Sequence, residues 1–156
     1  MAKQLAREPD APAGELYERD FYTWALRQAE LVREHRFAEL DLENVAEELE
    51  SLGKEQAHKL QSSFRVLLLH LLKWRHQPPR RSRSWRGSIV RERTNVEEIL
   101  EGNPGLKPRC AALFAAAYRG ARKEAAAETG LPIATFPEVS PFTMSEALDE
   151  AFWPEG

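Results

Sequence analysis

Residues 41–79 read DLENVAEELESLGKEQAHKLQSSFRVLLLHLLKWRHQPP. Leu42, Val45, Leu49, Leu52, Gln56, Leu60, Phe64, Leu67, Leu71 and Trp74 recur at three- and four-residue steps, the period of one helical face. Asp41 supplies an N-cap. Gln77-Pro78-Pro79 supplies the stop, because proline lacks a donor and disfavours helix in the residue before it. A helix running to Gln77 measures about 55 Å at 1.5 Å per residue. Gly53 is the only plausible break, and a mid-helix glycine costs only ~1 kcal/mol, so the pattern predicts a continuous or kinked helix. Leu67, Leu68, Leu69, Leu71 and Leu72 occupy more than one face. That end is therefore buried all round or lies in an interface, and self-association is expected from it.

Working outward, Tyr17, Phe21, Trp24, Ala25 and Leu31 predict an amphipathic helix of roughly 20 residues ending near Arg36. A third helix starts near Ser82 or Ser84, carries Trp85, Ile89, Val96, Ile99 and Leu100, and ends at Gly102 and Pro104. A fourth spans about Leu106 to Thr129 with Gly130 beyond it. Pro132, Pro137 and Pro141 make residues 131–142 irregular, and Thr143-x-x-Glu146 is a capping box opening a short helix, Met144 to Phe152. Phe21, Trp24, Leu49, Leu60, Phe64, Leu67, Leu71, Trp85, Ile89, Val96, Leu113 and Phe114 form the expected core.

The composition agrees. Of 156 residues 21 are alanine, whereas Val, Ile and Thr together number 14, which suits helices and excludes an all-β sandwich. The expected fold is all-α: a bundle of four main helices, one long or kinked, plus a short C-terminal helix. Residues 1–14 are expected to be a mobile tail and 15–156 a single helical domain. A single cysteine, Cys110, rules out an intrachain disulfide and a CxxC zinc site. A net charge of −3 gives no global basic field toward nucleic acid or anionic lipid. The longest uncharged apolar run, Val66 to Leu72, is far short of a membrane span, and residues 1–15 lack the apolar core of a signal peptide. A cytoplasmic protein is expected, with no membrane partner.

The runs Tyr17-Glu-Arg-Asp-Phe-Tyr-x-Trp24, Leu40-Asp-Leu-Glu-Asn44, Glu47-Glu48-x-Glu50-Ser-Leu-Gly53, Leu71-Leu-Lys-Trp74, Arg80-Arg-Ser-Arg-Ser-Trp85 and Phe152-Trp-Pro154 resemble the bacterial family known as domain of unknown function 29. The resemblance covers roughly residues 15–154. It implies a small, largely helical, uncharacterised bacterial protein and carries over no catalytic residue.

Lys73 to Arg93 holds eight cations against one acid, Glu92, with Trp74 and Trp85 interleaved. Arginine with aromatic is a composition suited to phosphate grip and base stacking. Arg80, Arg81, Arg83 and Arg86 crowd the start of helix 3, where the dipole is positive and each cation is disfavoured by ~0.3–1 kcal/mol. An anion is therefore expected nearby. Arg80, Arg81, Arg83, Trp85 and Arg86 are the candidates to bind an anion or partner, with Glu124 and Glu128 the carboxylates expected to neutralise part of the charge. The acidic run Asp41, Glu43, Glu47, Glu48 and Glu50 reads as a solvated face, since a metal would need oxygens from Glu30 or Glu34. Glu55-x-x-His58 is the weak metal candidate, a single copy of a motif that di-iron bundles use twice. His70 reads as a packed histidine and His76 as a cation at a helix C-terminus.

No Gly-rich phosphate loop, GxSxG elbow or HExxH occurs, so the balance leans against an enzyme, and no cofactor is expected. Two readings remain open ahead of a metal-dependent enzyme. One is a self-associating helical module that also binds a protein partner through the second half of the helix at 41–77 and the start of helix 3. The other is phosphate-ligand or nucleic-acid binding through the Arg/Trp patch, with nucleic acid not favoured.

Overall fold

The computed structural model describes residues 13–155, which are helical with no strand among them. The expected tail, apart from Ala13 and Gly14, lies outside the described residues. Six α-helices occur among those described: α1 (Ala13–Arg19), α2 (Phe21–Arg33), α3 (Leu42–His76), α4 (Arg83–Gly102), α5 (Cys110–Thr129) and α6 (Met144–Leu148). α3 is one 35-residue helix that passes through Gly53 without a break. The chain forms two compact units, Met1–Gly53 and Lys54–Gly156.

In the N-terminal unit the expected first helix is two helices. Asp20 leaves helical geometry and N-caps α2, its side chain accepting from the Thr23 amide at 3.0 Å and the Thr23 hydroxyl at 2.5 Å. Periodicity alone missed this because the apolar steps continue across the cap. α2 ends with His35 in the left-handed region at φ 60, the Arg36 amide bonding Leu31 O and the His35 amide Val32 O. That is a Schellman closure with histidine where glycine is usual.

The unit centres on Asp41. Its carboxylate accepts the Trp24 indole N–H at 3.1 Å and the Asn44 amide group at 2.7 Å, and its backbone N–H donates to Gln28 Oε1 at 2.9 Å. Tyr17 donates its hydroxyl to Glu48 at 2.6 Å and packs edge-on to Trp24. Tyr17 of α1 thus meets the second turn of α3, and Trp24 of α2 meets the residue just before α3. Trp24, Gln28 and Leu31 are buried. Phe21 and Leu49, expected in the core, are exposed, as are Leu42 and Leu52 on the same helical face.

The C-terminal unit holds the main core: Leu60, Phe64, Leu67, Leu68, Leu71 and Leu72 of α3 pack with Ile89 and Val96 of α4 and with Leu113, Phe114, Ala117 and Ala121 of α5. The leucines at 67–72 are thus buried all round within their own unit. The surplus from which self-association was expected is taken up there. Ser82 caps α4 by accepting from the Trp85 amide at 3.2 Å, and Gly130 at φ 71 closes α5. A 3-10 segment, Pro104–Arg109, precedes α5, which therefore starts at Cys110 rather than Leu106. The Thr143/Glu146 capping box is present, but α6 stops at Leu148 instead of Phe152.

The irregular chain after α5 cannot pair its own carbonyls, and an unpaired buried carbonyl is costly, so side chains of the helices pair them. Arg122 donates to Phe136 O at 2.9 Å and Tyr118 to Pro137 O at 2.6 Å, while Phe136 and Phe142 sink into the core.

Candidate functional site

The Arg/Trp patch is built at one end of the C-terminal unit from the last turn of α3, the start of α4 and the final residues of the chain. Arg93 is its centre. Although charged, it is buried, and it donates to three backbone carbonyls: Ala147 at 2.9 Å, Glu150 at 3.4 Å and Phe152 at 2.7 Å. Burial lowers the pKa of its guanidinium, opposed by Asp149 and Glu150. Two guanidinium groups lie against the Trp153 ring, Arg86 at 5.0 Å and Arg93 at 5.3 Å from its centre, with the Trp74 ring 4.9 Å away. Arg81 lies over Trp74 at 5.2 Å and donates to Trp74 O and Pro154 O. Cation–π contacts contribute ~0.5–1 kcal/mol each when exposed and more when desolvated, so this ladder holds the chain end in place.

Glu124 and Glu128 do form ion pairs, but with α3 and not with Arg80–Arg86. Glu124 pairs with Arg65, and Glu128 with Lys73 at 2.5 Å. The α4–α5 hairpin does return α5 along the bundle, yet it lays that face of α5 on α3, whose own cations are nearer. Lys73 also lies over the half-buried Trp85 ring at 4.6 Å, so that candidate already has a cation on its face. Of the expected anion-binding set, Arg81 and Arg86 are engaged by the chain end. Arg80 and Arg83 are exposed, and no ion pair or side-chain hydrogen bond engages them among the described residues. The sequence reading missed the role of Arg93. The available signal was its position in the Ile89, Arg93, Val96, Leu100 stripe, a place for an apolar side chain.

Glu55 pairs with Lys59 at 2.9 Å and His58 is exposed. Among the described residues no group of three or more His, Cys, Asp or Glu side chains could hold a metal ion. In the acidic run, Asp41 and Glu48 are structural acceptors, and the Tyr17 phenol pKa is pushed up to about 12 by its bond to Glu48. Cys110 is buried, and burial raises its thiol pKa, the reverse of an activated nucleophile. The surroundings of His76 disfavour the C-terminal cation expected there. Its ring packs edge-on to Phe136 at 4.9 Å with Nε2 buried and unpartnered, and burial, then the charge of Arg75, lowers its pKa.

An open groove of about 460 Å³ beside Arg93 is lined by Val96, Glu97, Leu100, Glu101, Lys107, Leu148 and Glu150. The larger anomaly lies in the N-terminal unit, where Phe21, Tyr22, Leu26, Val32, Phe37, Leu42, Leu49 and Leu52 are all exposed.

A family model described as domain of unknown function DUF29 matches residues 16–153. The chain belongs to the DUF29 family. The six runs quoted from the sequence fall within this match, apart from Pro154, one residue beyond it. The structure gives several of them physical roles: the Asp20 cap, the Asp41 network, and the Trp74, Arg81 and Trp153 ladder. No curated protein and no solved structure matches this DUF29 chain. No helix among the described residues is long and apolar enough to cross a membrane.

Proposed function

We propose that this DUF29 protein is a non-catalytic helical interaction module whose N-terminal unit docks a protein partner. The exposure of Tyr22 at 73%, Leu42 at 65%, Leu49 at 64% and Leu52 at 57% carries the reading. Single exposed apolar residues are ordinary, but a group this dense in one small unit is the mark of a surface that is covered in use. A bacterial, cytoplasmic setting belongs to the same proposal, since a lone buried cysteine suits a reducing compartment.

A photo-crosslinking amino acid placed at Leu49 tests this in cells, with Val139, exposed at 79% in the other unit, as control. Protein adducts from Leu49 and none from Val139 are expected. Equal adducts from both, or from neither, would refute the docking reading.

Anion binding is the second reading, supported by Arg80 and Arg83 at the start of a helix with no acid in its first turn. Binding of polyphosphate or single-stranded DNA that weakens steeply with salt and is lost in Arg80→Ala/Arg83→Ala would favour it.

A further inference from the structure

Residues 93, 96, 97, 100 and 101 follow the i, i+3, i+4, i+7, i+8 pattern by which a helix faces its core. In α4 that stripe carries Arg93, Val96, Glu97, Leu100 and Glu101, so two carboxylates stand where apolar side chains are usual. The groove of about 460 Å³ is what accommodates them. All five residues line it, together with Lys107, Leu148 of α6 and Glu150. Val96 is 1% exposed, and Leu100 and Leu148 are half-buried against the core, so the floor is apolar. Glu97 and Glu101 are exposed above that floor.

Their charge is not answered within the chain. Glu97 and Glu101 are four residues apart on one helical face, where like charges repel. Glu101 also stands in the last turn of α4, which holds no basic residue and where the helix dipole is negative. Among the described residues no ion pair or hydrogen bond engages either carboxylate. Arg93 does not neutralise them. Its buried guanidinium is directed to the carbonyls of Ala147, Glu150 and Phe152, and the charges of Asp149 and Glu150 act on it. Two carboxylates are left against the ammonium of Lys107, which lines the groove without pairing to either.

An apolar floor beside surplus negative charge matches a cation that carries a hydrocarbon tail. The groove's volume falls within the ~300–1,000 Å³ of small-molecule sites, which are mostly apolar with a few polar groups to fix orientation. We infer that it binds a small aliphatic amine, with the tail on Val96, Leu100 and Leu148 and the ammonium at Glu97 and Glu101. This site belongs to the C-terminal unit and stands or falls apart from the docking reading above.

Hexylamine, hexanol and methylamine are titrated into the full chain and followed by proton–nitrogen correlation NMR. Hexylamine is expected to shift the amides of Val96, Leu100 and Leu148 saturably, with a Kd of about 1 mM or lower. Hexanol lacks the charge and methylamine the tail, and each is expected to bind at least about tenfold more weakly. Glu97→Gln/Glu101→Gln, exposed and relieved of repulsion, is expected to keep its helicity and to weaken hexylamine about tenfold. Lys107→Ala is expected to tighten hexylamine about threefold, because a like charge leaves the groove. Hexanol binding as tightly as hexylamine, or hexylamine binding unchanged in the Glu97/Glu101 variant, overturns the inference. Absence of any saturable shift overturns it as well. A lysine capped at both ends that binds about tenfold tighter than hexylamine assigns the groove to a protein side chain and overturns the small amine.

Discussion

The guanidinium of Arg93 donates to the carbonyl of Phe152 at 2.7 Å, joining residues 59 positions apart. With Ala147 and Glu150 as its other acceptors, one side chain of α4 closes the end of the chain onto the bundle. Hydrogen bonds to a charged group contribute ~1.5–3 kcal/mol each, and Arg93→Ala would strand the three carbonyls together. A loss of about 3 kcal/mol or more is expected in urea unfolding, with Trp153 fluorescence shifted. Arg93→Lys is expected to recover only part, because an ammonium lacks the planar fork.

Gly53 lies mid-helix in α3, and a Cβ added there meets nothing within 4 Å. Gly53→Ala is therefore expected to stabilise the fold by roughly 0.5–1 kcal/mol through lower backbone entropy in the unfolded chain. Thermal unfolding followed at 222 nm checks it, and a lower midpoint would contradict the unbroken helix.

Asp41 accepts from both the Trp24 indole and Asn44. Asp41→Ala removes these acceptors and the carboxylate oxygen 3.5 Å from the Asn44 amide at the start of α3, and a cost of about 1–3 kcal/mol is expected. Trp24 emission should move to longer wavelength as its ring gains water. Unchanged emission with unchanged stability would show that the network does not hold α2 to α3.

His76 gives the fold an acid sensitivity. Its folded pKa lies below the 6.5 of the free side chain, because the neutral ring is the form that tolerates burial beside Phe136. Below about pH 6.5 the unfolded chain takes up a proton that the folded chain resists, so stability falls as pH drops from there and is unaffected above. His76→Leu is expected to flatten that part of the pH–stability curve, measured by urea midpoints between pH 7.5 and pH 5 (about one unit either side of the free pKa).

What the sequence determined by itself is what acts within a few residues. The Ser82 cap and the Thr143/Glu146 box follow from side chains reaching backbone groups within one helical turn, the Gly130 closure from its backbone N–H bonding Ala126 O at positive φ, and the continuity of α3 from its unbroken helical period. Asp20 belonged to that class too, since its bond to Thr23 spans three residues, but the unbroken apolar period concealed it. Tertiary structure alone decided which leucines are covered. Leu49 and Leu67 stand on the same periodic stripe, yet Leu67 is enclosed by α4 and α5 and Leu49 is open. Periodicity reports which residues share a face, whereas burial depends on what is packed against that face. For the same reason Glu124 and Glu128 were legible as ion-pair formers but their partners were not. Charge strength is a property of the residue, and nearness belongs to the packing that puts Arg65 and Lys73 beside them.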